Sequence, residues 1–196
     1  MKQKLLILCL AFFTLMSFTT VMHQDHVKVN TINSTVKWKG SKVTSYHEGN
    51  IKLSSGKLIF DHGKLVGGEF EIDMSTIVNT DMEGRMKQRL EWHLKNEDFF
   101  NVAEFPTSTI TITNAVKGEG NTYKVVADLT IKGITHPISF DADVNVNGLN
   151  FLAAAKIKID RTKWDIKYNS GNFFKDLGDK LILDEIEFDI FLLSVK

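Results

Sequence analysis

The sequence holds one cysteine and two prolines in 196 residues, and it has no surplus of either charge. Each scarcity excludes something. A lone Cys9 rules out an internal disulfide, a cysteine-rich zinc site and an iron–sulfur cluster. Lys and Arg number 24, as do Asp and Glu. That balance leaves no basic face for neutralising phosphates, so neither nucleic acid nor an anionic lipid surface is an expected electrostatic partner. With 43% hydrophobic and 24% charged residues the chain is neither a disordered tail nor a fibre. Its length suits one domain of about 150–200 residues or two small ones.

Acids are missing from the start of the chain, where none precedes Asp25. Lys2 and Lys4 lead into the apolar run Leu5 to Phe13, and polar residues follow, which is the pattern of a secretory signal. Thr14, Ser17, Thr19 and Thr20 make the stretch a poor membrane span. Residues 1–22 are therefore expected to be a signal peptide removed on export, leaving 22 basic and 24 acidic residues, no cysteine and no stable membrane span. Cys9 has Leu8 before it instead of a small residue, which disfavours a lipoprotein acceptor.

What is present is period-two alternation. Tyr123, Val125, Ala127, Leu129 and Ile131 share one face, with Lys124, Asp128, Thr130 and Lys132 on the other. The same pattern marks Val36 to Gly40, Phe70 to Met74, Ile110 to Ile112, Ile138 to Val146, Phe151 to Ile159 and Ile186 to Leu192. Asn147-Gly148, Asp61-His62-Gly63 and Gly118-Glu119-Gly120-Asn121 supply hairpin turns, and Gly67-Gly68 a bend or bulge. Strands with one apolar face and no helical layer to cover it bury that face by closing on themselves. The expected fold is all-β: a closed antiparallel barrel of about eight strands forming one domain over 27–196. One segment departs from it. Thr80 to Glu83 reads as a capping box, and Met82, Met86, Leu90 and Leu94 as the stripe of an amphipathic helix ending near Lys95. Residues 96–106 and 168–179 read as long irregular connections.

Catalytic and metal signatures are scarce as well. His47, His62, His93 and His136 lie far apart with no ligand spacing, no G-x-S-x-G elbow occurs, and Asp184, Glu185, Glu187 and Asp189 sit along a strand like a solvated face. No enzyme, metal site or cofactor is expected. Arg85 and Arg89, one helical turn apart, can flank an anion, although a solvated helix face accounts for them more simply. Arg161, near a strand end before Trp164, suits either a buried acid or a ligand head group. The inward face combines Trp38, Phe70, Phe140, Phe151 and Phe188 with Ala142 and Ala153. Small residues beside large ones leave either an apolar pocket lined by these seven or a barrel filled by its own aromatics.

Five segments in order resemble the YceI-like family of exported, lipocalin-like polyisoprenoid-binding proteins. They are Trp38 to Lys42, Gly67 to Met74, His93 to Phe100 with Phe105-Pro106, Leu129 to Pro137, and Arg161 to Ile166. The resemblance covers about residues 30–195. It implies a noncatalytic periplasmic or secreted protein holding an isoprenoid lipid, of polyprenyl phosphate or quinone type. Trp38, Phe70, Phe140, Ala142, Phe151, Ala153 and Phe188 would then line the pocket, with Arg161 and His47 as head-group contacts and a homodimer permitted. The rival is a secreted structural or interaction protein whose barrel is full.

Overall fold

The computed structural model describes residues 24–195; the expected signal peptide, with Cys9, lies outside them. The strands are β1 (Gln24–Lys28), β2 (Thr35–Lys42), β3 (Tyr46–Asp61), β4 (Lys64–Asn79), β5 (Thr107–Lys117), β6 (Thr122–Ile131), β7 (Ile134–Asn147), β8 (Asn150–Asp160) and β9 (Ile182–Leu193), and the helix is α1 (Gly84–Lys95). Neighbours follow the order β3-β2-β9-β8-β7-β6-β5-β4, and β4 pairs back onto β3. Eight antiparallel strands thus close the barrel, as the alternation predicts. β1 is a ninth strand. It pairs with the second half of β3 and continues through a Val29–Ser194 bridge to the chain end beyond β9, completing the wall below the start of β2.

Alternation becomes burial. Tyr123, Val125, Ala127, Leu129 and Ile131 are all buried, whereas their polar neighbours on β6 face outward. The inward side chains form two apolar clusters stacked along the barrel. One is centred on Trp38, Leu129, Ile157 and Trp164 at the helix end, the other on Phe60, Tyr123, Val144 and Phe151 at the far end.

The turns refine the expectations. His62 and Gly63 both take positive φ (49° and 75°), as a tight β3–β4 hairpin requires. In the β7–β8 hairpin Asn147 pairs with Asn150, so the loop residues are Gly148 and Leu149, and only Gly148 has positive φ (59°). A bulge falls one residue before the expected Gly67-Gly68, which are themselves in register: Ile59 pairs with Gly67 but Phe60 with Leu65, leaving Val66 unpaired.

The helix start is a correction. Thr80 does not cap it; its backbone N–H and hydroxyl both donate to the Glu48 carbonyl oxygen, prolonging the β3–β4 pairing. Glu83 occupies the cap position without a side-chain bond, and Gly84 at φ 60° turns the chain into the helix. That left-handed turn separates the two halves of the expected box. The apolar stripe also tapers. Leu94 is buried and Leu90 packs on the core, but Met86 is 60% exposed because only the C-terminal half of α1 reaches the barrel.

Candidate binding site

The barrel interior contains two apolar spaces. The upper chamber, of about 110 Å³, lies beneath α1 and is walled by Trp38, Met74, Ile77, Leu94, Phe99, Phe100, Leu129 and Phe188 among others. The lower chamber, of about 80 Å³, is walled by Leu58, Leu65, Phe70, Val125, Phe140, Ala142, Val144, Ala153 and Ala155 among others. Val36, Ile72, Ile110, Ile157 and Ile190 line both, forming an aliphatic waist between the chambers. Of the residues lining the two spaces, only Ser108 and Arg161 have polar side chains. Such an interior attracts apolar surface and offers almost nothing to a polar ligand.

Six of the seven expected lining residues lie on these walls: Trp38 and Phe188 in the upper chamber, Phe70, Phe140, Ala142 and Ala153 in the lower. The seventh is corrected. Phe151 is buried against Phe60, ring centroids 5.9 Å apart, and plugs the far end of the barrel instead of facing the space. Alternation put it on the inward face but could not tell how far along the axis the space runs. Phe99 and Phe100 were not among the expected lining residues, because they sit in the irregular segment after α1, where no periodicity announces which way a side chain points. Met74, Ile157 and Ile190, also outside that set, lie on alternating strands and carried the same signal as their neighbours.

The two expected head-group contacts are also placed otherwise. Arg161 is fully buried, and each of its three guanidinium nitrogens has a protein partner. Nε donates to the Leu183 carbonyl (3.2 Å), Nη1 to Ile166 (2.7 Å) and Nη2 to Ile182 (3.0 Å), while Nη2 also pairs with the Asp184 carboxylate at 3.1 Å. Burial pushes its pKa down and the charges of Asp184 and Asp160 push it back up. The side chain thus tethers the 165–184 segment to the end of β8. His47 lies outside the barrel, its Nδ1 2.9 Å from an Asp81 oxygen. Burial would raise the Asp81 pKa, but the Glu48 N–H with His47 and Asn79 holds the carboxyl below its ordinary value.

Among the described residues no three His, Cys, Asp or Glu side chains gather where they would hold a metal ion. No helix of the described residues is long and apolar enough to cross a membrane. A closed antiparallel barrel around an apolar two-chamber interior, with one helix over an end, places the molecule in the lipocalin-like class. The chain belongs to the family of the YceI-like domain, whose family model matches residues 27–192.

Relatives agree. The UPF0312 protein plu2095 of Photorhabdus laumondii is 29% identical over 69% of this chain and 68% of its own. Protein YceI of Escherichia coli O157:H7 is 30% identical over 59% of this chain and 62% of its own, so the match spans under two thirds of that relative. Solved structures share the fold. Burkholderia cenocepacia BcnA superposes with a TM-score of 0.70 at 21% identity, covering 85% of this chain and 99% of that one. A polyisoprenoid binding domain from Saccharophagus degradans gives 0.65 at 14% identity, covering 86% and 97%.

Proposed function

We propose that this barrel is an exported, noncatalytic carrier or sequestering protein for an isoprenoid-type chain, of polyprenyl phosphate or quinone class, acting in the periplasm or outside the cell. The observation that carries the reading is the pair of adjoining apolar chambers that share Val36, Ile72, Ile110, Ile157 and Ile190 as lining. Membership of the YceI-like family and the fold shared with a polyisoprenoid binding domain support it. Each buried methylene contributes about 0.8 kcal/mol, so even a partly enclosed prenyl tail gains several kcal/mol against the cost of ordering it.

The size of the space limits what enters without rearrangement. A cavity of roughly 150 Å³ takes one benzene ring. Chambers of about 110 and 80 Å³ therefore correspond to one or two five-carbon isoprene units, and a longer tail must displace side chains. The lipid is identified by native mass spectrometry of the protein purified from membranes, followed by extraction of what it carries. Release of a prenyl lipid is expected. Recovery of none, together with no uptake of quinone or polyprenyl phosphate by the emptied protein, overturns the carrier reading.

A further inference from the structure

Outside the upper chamber, an open groove of about 400 Å³ runs along α1. One side is the helix, with Met86, Arg89, Leu90, Trp92 and His93; across it stand Lys42, His47 and Tyr168. Trp92 and Met86 are 66% and 60% exposed, which is unusual for large apolar side chains on a 12-residue helix. The groove is amphipathic. Its cations are Lys42 and Arg89, and neither makes an ion pair with any described residue. Its acid, Asp98, faces His93 at 3.7 Å, and the nearby Asp81 is engaged by His47.

Packed rings stand between this groove and the upper chamber, beside Leu90 and Leu94 of the helix. His93 and Tyr168 face the groove, and both pack on Phe99, whose ring lines the chamber, with centroids 5.0 and 5.8 Å away. Phe99 belongs to the irregular segment after α1, outside any strand ladder. Among the described residues lining the two chambers Arg161 is the one cation, and it is fully engaged. An ionised head group carried inward would therefore be buried unpaired, at a cost far above what its tail recovers. Two larger surface pockets suit an anion less well: beside β3 and β4, Lys28 and Lys57 are balanced by Glu69 and Glu71, with Lys57 paired to Glu69 at 3.1 Å, and beside β2 and β9 the lysines are interleaved with Glu48, Glu187 and Asp189.

We infer that the α1 groove is the head-group site of the barrel: it takes the anionic head of an amphiphile, a phosphate or carboxylate, between Lys42 and Arg89, while the tail passes Phe99 into the upper chamber. This rests on the chain-binding reading above and adds to it an entrance and a charge preference. The even charge of the whole chain conceals the site, because it averages these two cations against acids elsewhere.

The test compares farnesyl phosphate, farnesol and inorganic phosphate on the full-length chain and on the K42A/R89A double variant. Binding is followed by isothermal titration and by tryptophan fluorescence, with Trp92→Phe identifying the contribution of Trp92. The expected result is tighter binding of farnesyl phosphate than of farnesol. The double variant should lose roughly tenfold or more in affinity for the phosphate while holding farnesol unchanged, which also shows that it is folded. Equal affinities for phosphate and alcohol, unaltered in the variant, overturn the head-group site but leave the chain-binding reading intact. If neither prenyl compound binds, both fall. If inorganic phosphate binds as tightly as farnesyl phosphate, the groove is a free-anion site and the inference is overturned.

Discussion

Arg161 illustrates how a buried charge acts as a fastener. Three carbonyls and a carboxylate surround its guanidinium, and all four belong to the segment that runs from the end of β8 to the start of β9. Replacing it with Met keeps the apolar stem but leaves Asp184 Oδ1 and three carbonyls without their donor, while Oδ2 keeps Ser170 and Asn172; removing one member of a buried pair costs about 3–5 kcal/mol. Urea unfolding of Arg161→Met should show a loss of that order. Asp81 makes a milder, pH-dependent fastening. Its carboxylate accepts hydrogen bonds from the Glu48 N–H and from Asn79, and pairs with His47. Its folded pKa lies below the ordinary value of 3.8, so its contribution is fully present above that value and is lost as pH falls through the lower folded one. Asp81→Asn should accordingly cost about 1 kcal/mol at neutral pH, and the difference from wild type should shrink in denaturant titrations carried out at progressively lower pH below 3.8.

At the scale of elements, the corner where β2, β3 and β4 meet depends on one missing side chain. A Cβ at Gly49 would lie 1.8 Å from the Val78 carbonyl oxygen and 2.7 Å from the Trp38 ring. Trp38 occupies that space and donates its indole N–H to the same carbonyl at 3.2 Å. Gly49→Ala must therefore push the strands apart. A loss of about 3 kcal/mol or more is expected, visible as a lower melting temperature and a weakened near-ultraviolet tryptophan signal. Nothing around Gly49 in the sequence announces this role, whereas β6, β7 and β8 are legible residue by residue because one wet and one buried face impose strict alternation. β3 escaped such a reading. Its pairing with β4 shifts register between Asn50 and Lys52 and again between Leu53 and Ser55, and each shift breaks the period in the sequence. β1 is too short to show a period and is defined by its partners. The same limit applies to the site: side chains on regular strands are assigned to the interior by their period, but Phe99 and Arg161 lie beyond the strand ladders and His47, near the start of β3, is held outside by its long-range partner Asp81.

For the molecule as a whole, the arrangement of two chambers in series governs what the barrel can hold. The far end is plugged by Phe60, Phe151 and Tyr123, all buried. A chain entering beside α1, as inferred above, meets the five aliphatic side chains shared by both spaces before it reaches the lower chamber. Chain length and site occupancy are therefore coupled: a short tail needs only the upper chamber, a long one must pass Ile157 and Ile190. Enlarging a waist residue separates the two cases. Ile157→Phe adds volume at the boundary that both chambers share, at an overpacking cost of about 1–3 kcal/mol that leaves a stable barrel folded. Affinity for a five-carbon prenol should change little in this variant. Affinity for a ten-carbon prenol should fall toward that of the shorter chain, because the second half of the tail gains no burial. Ala153→Leu, which fills the lower chamber from beyond the waist, should produce the same truncated length dependence. Titration of both prenols into the three proteins decides the matter: an undiminished preference for the longer chain in both variants would mean that the chambers are not filled in series.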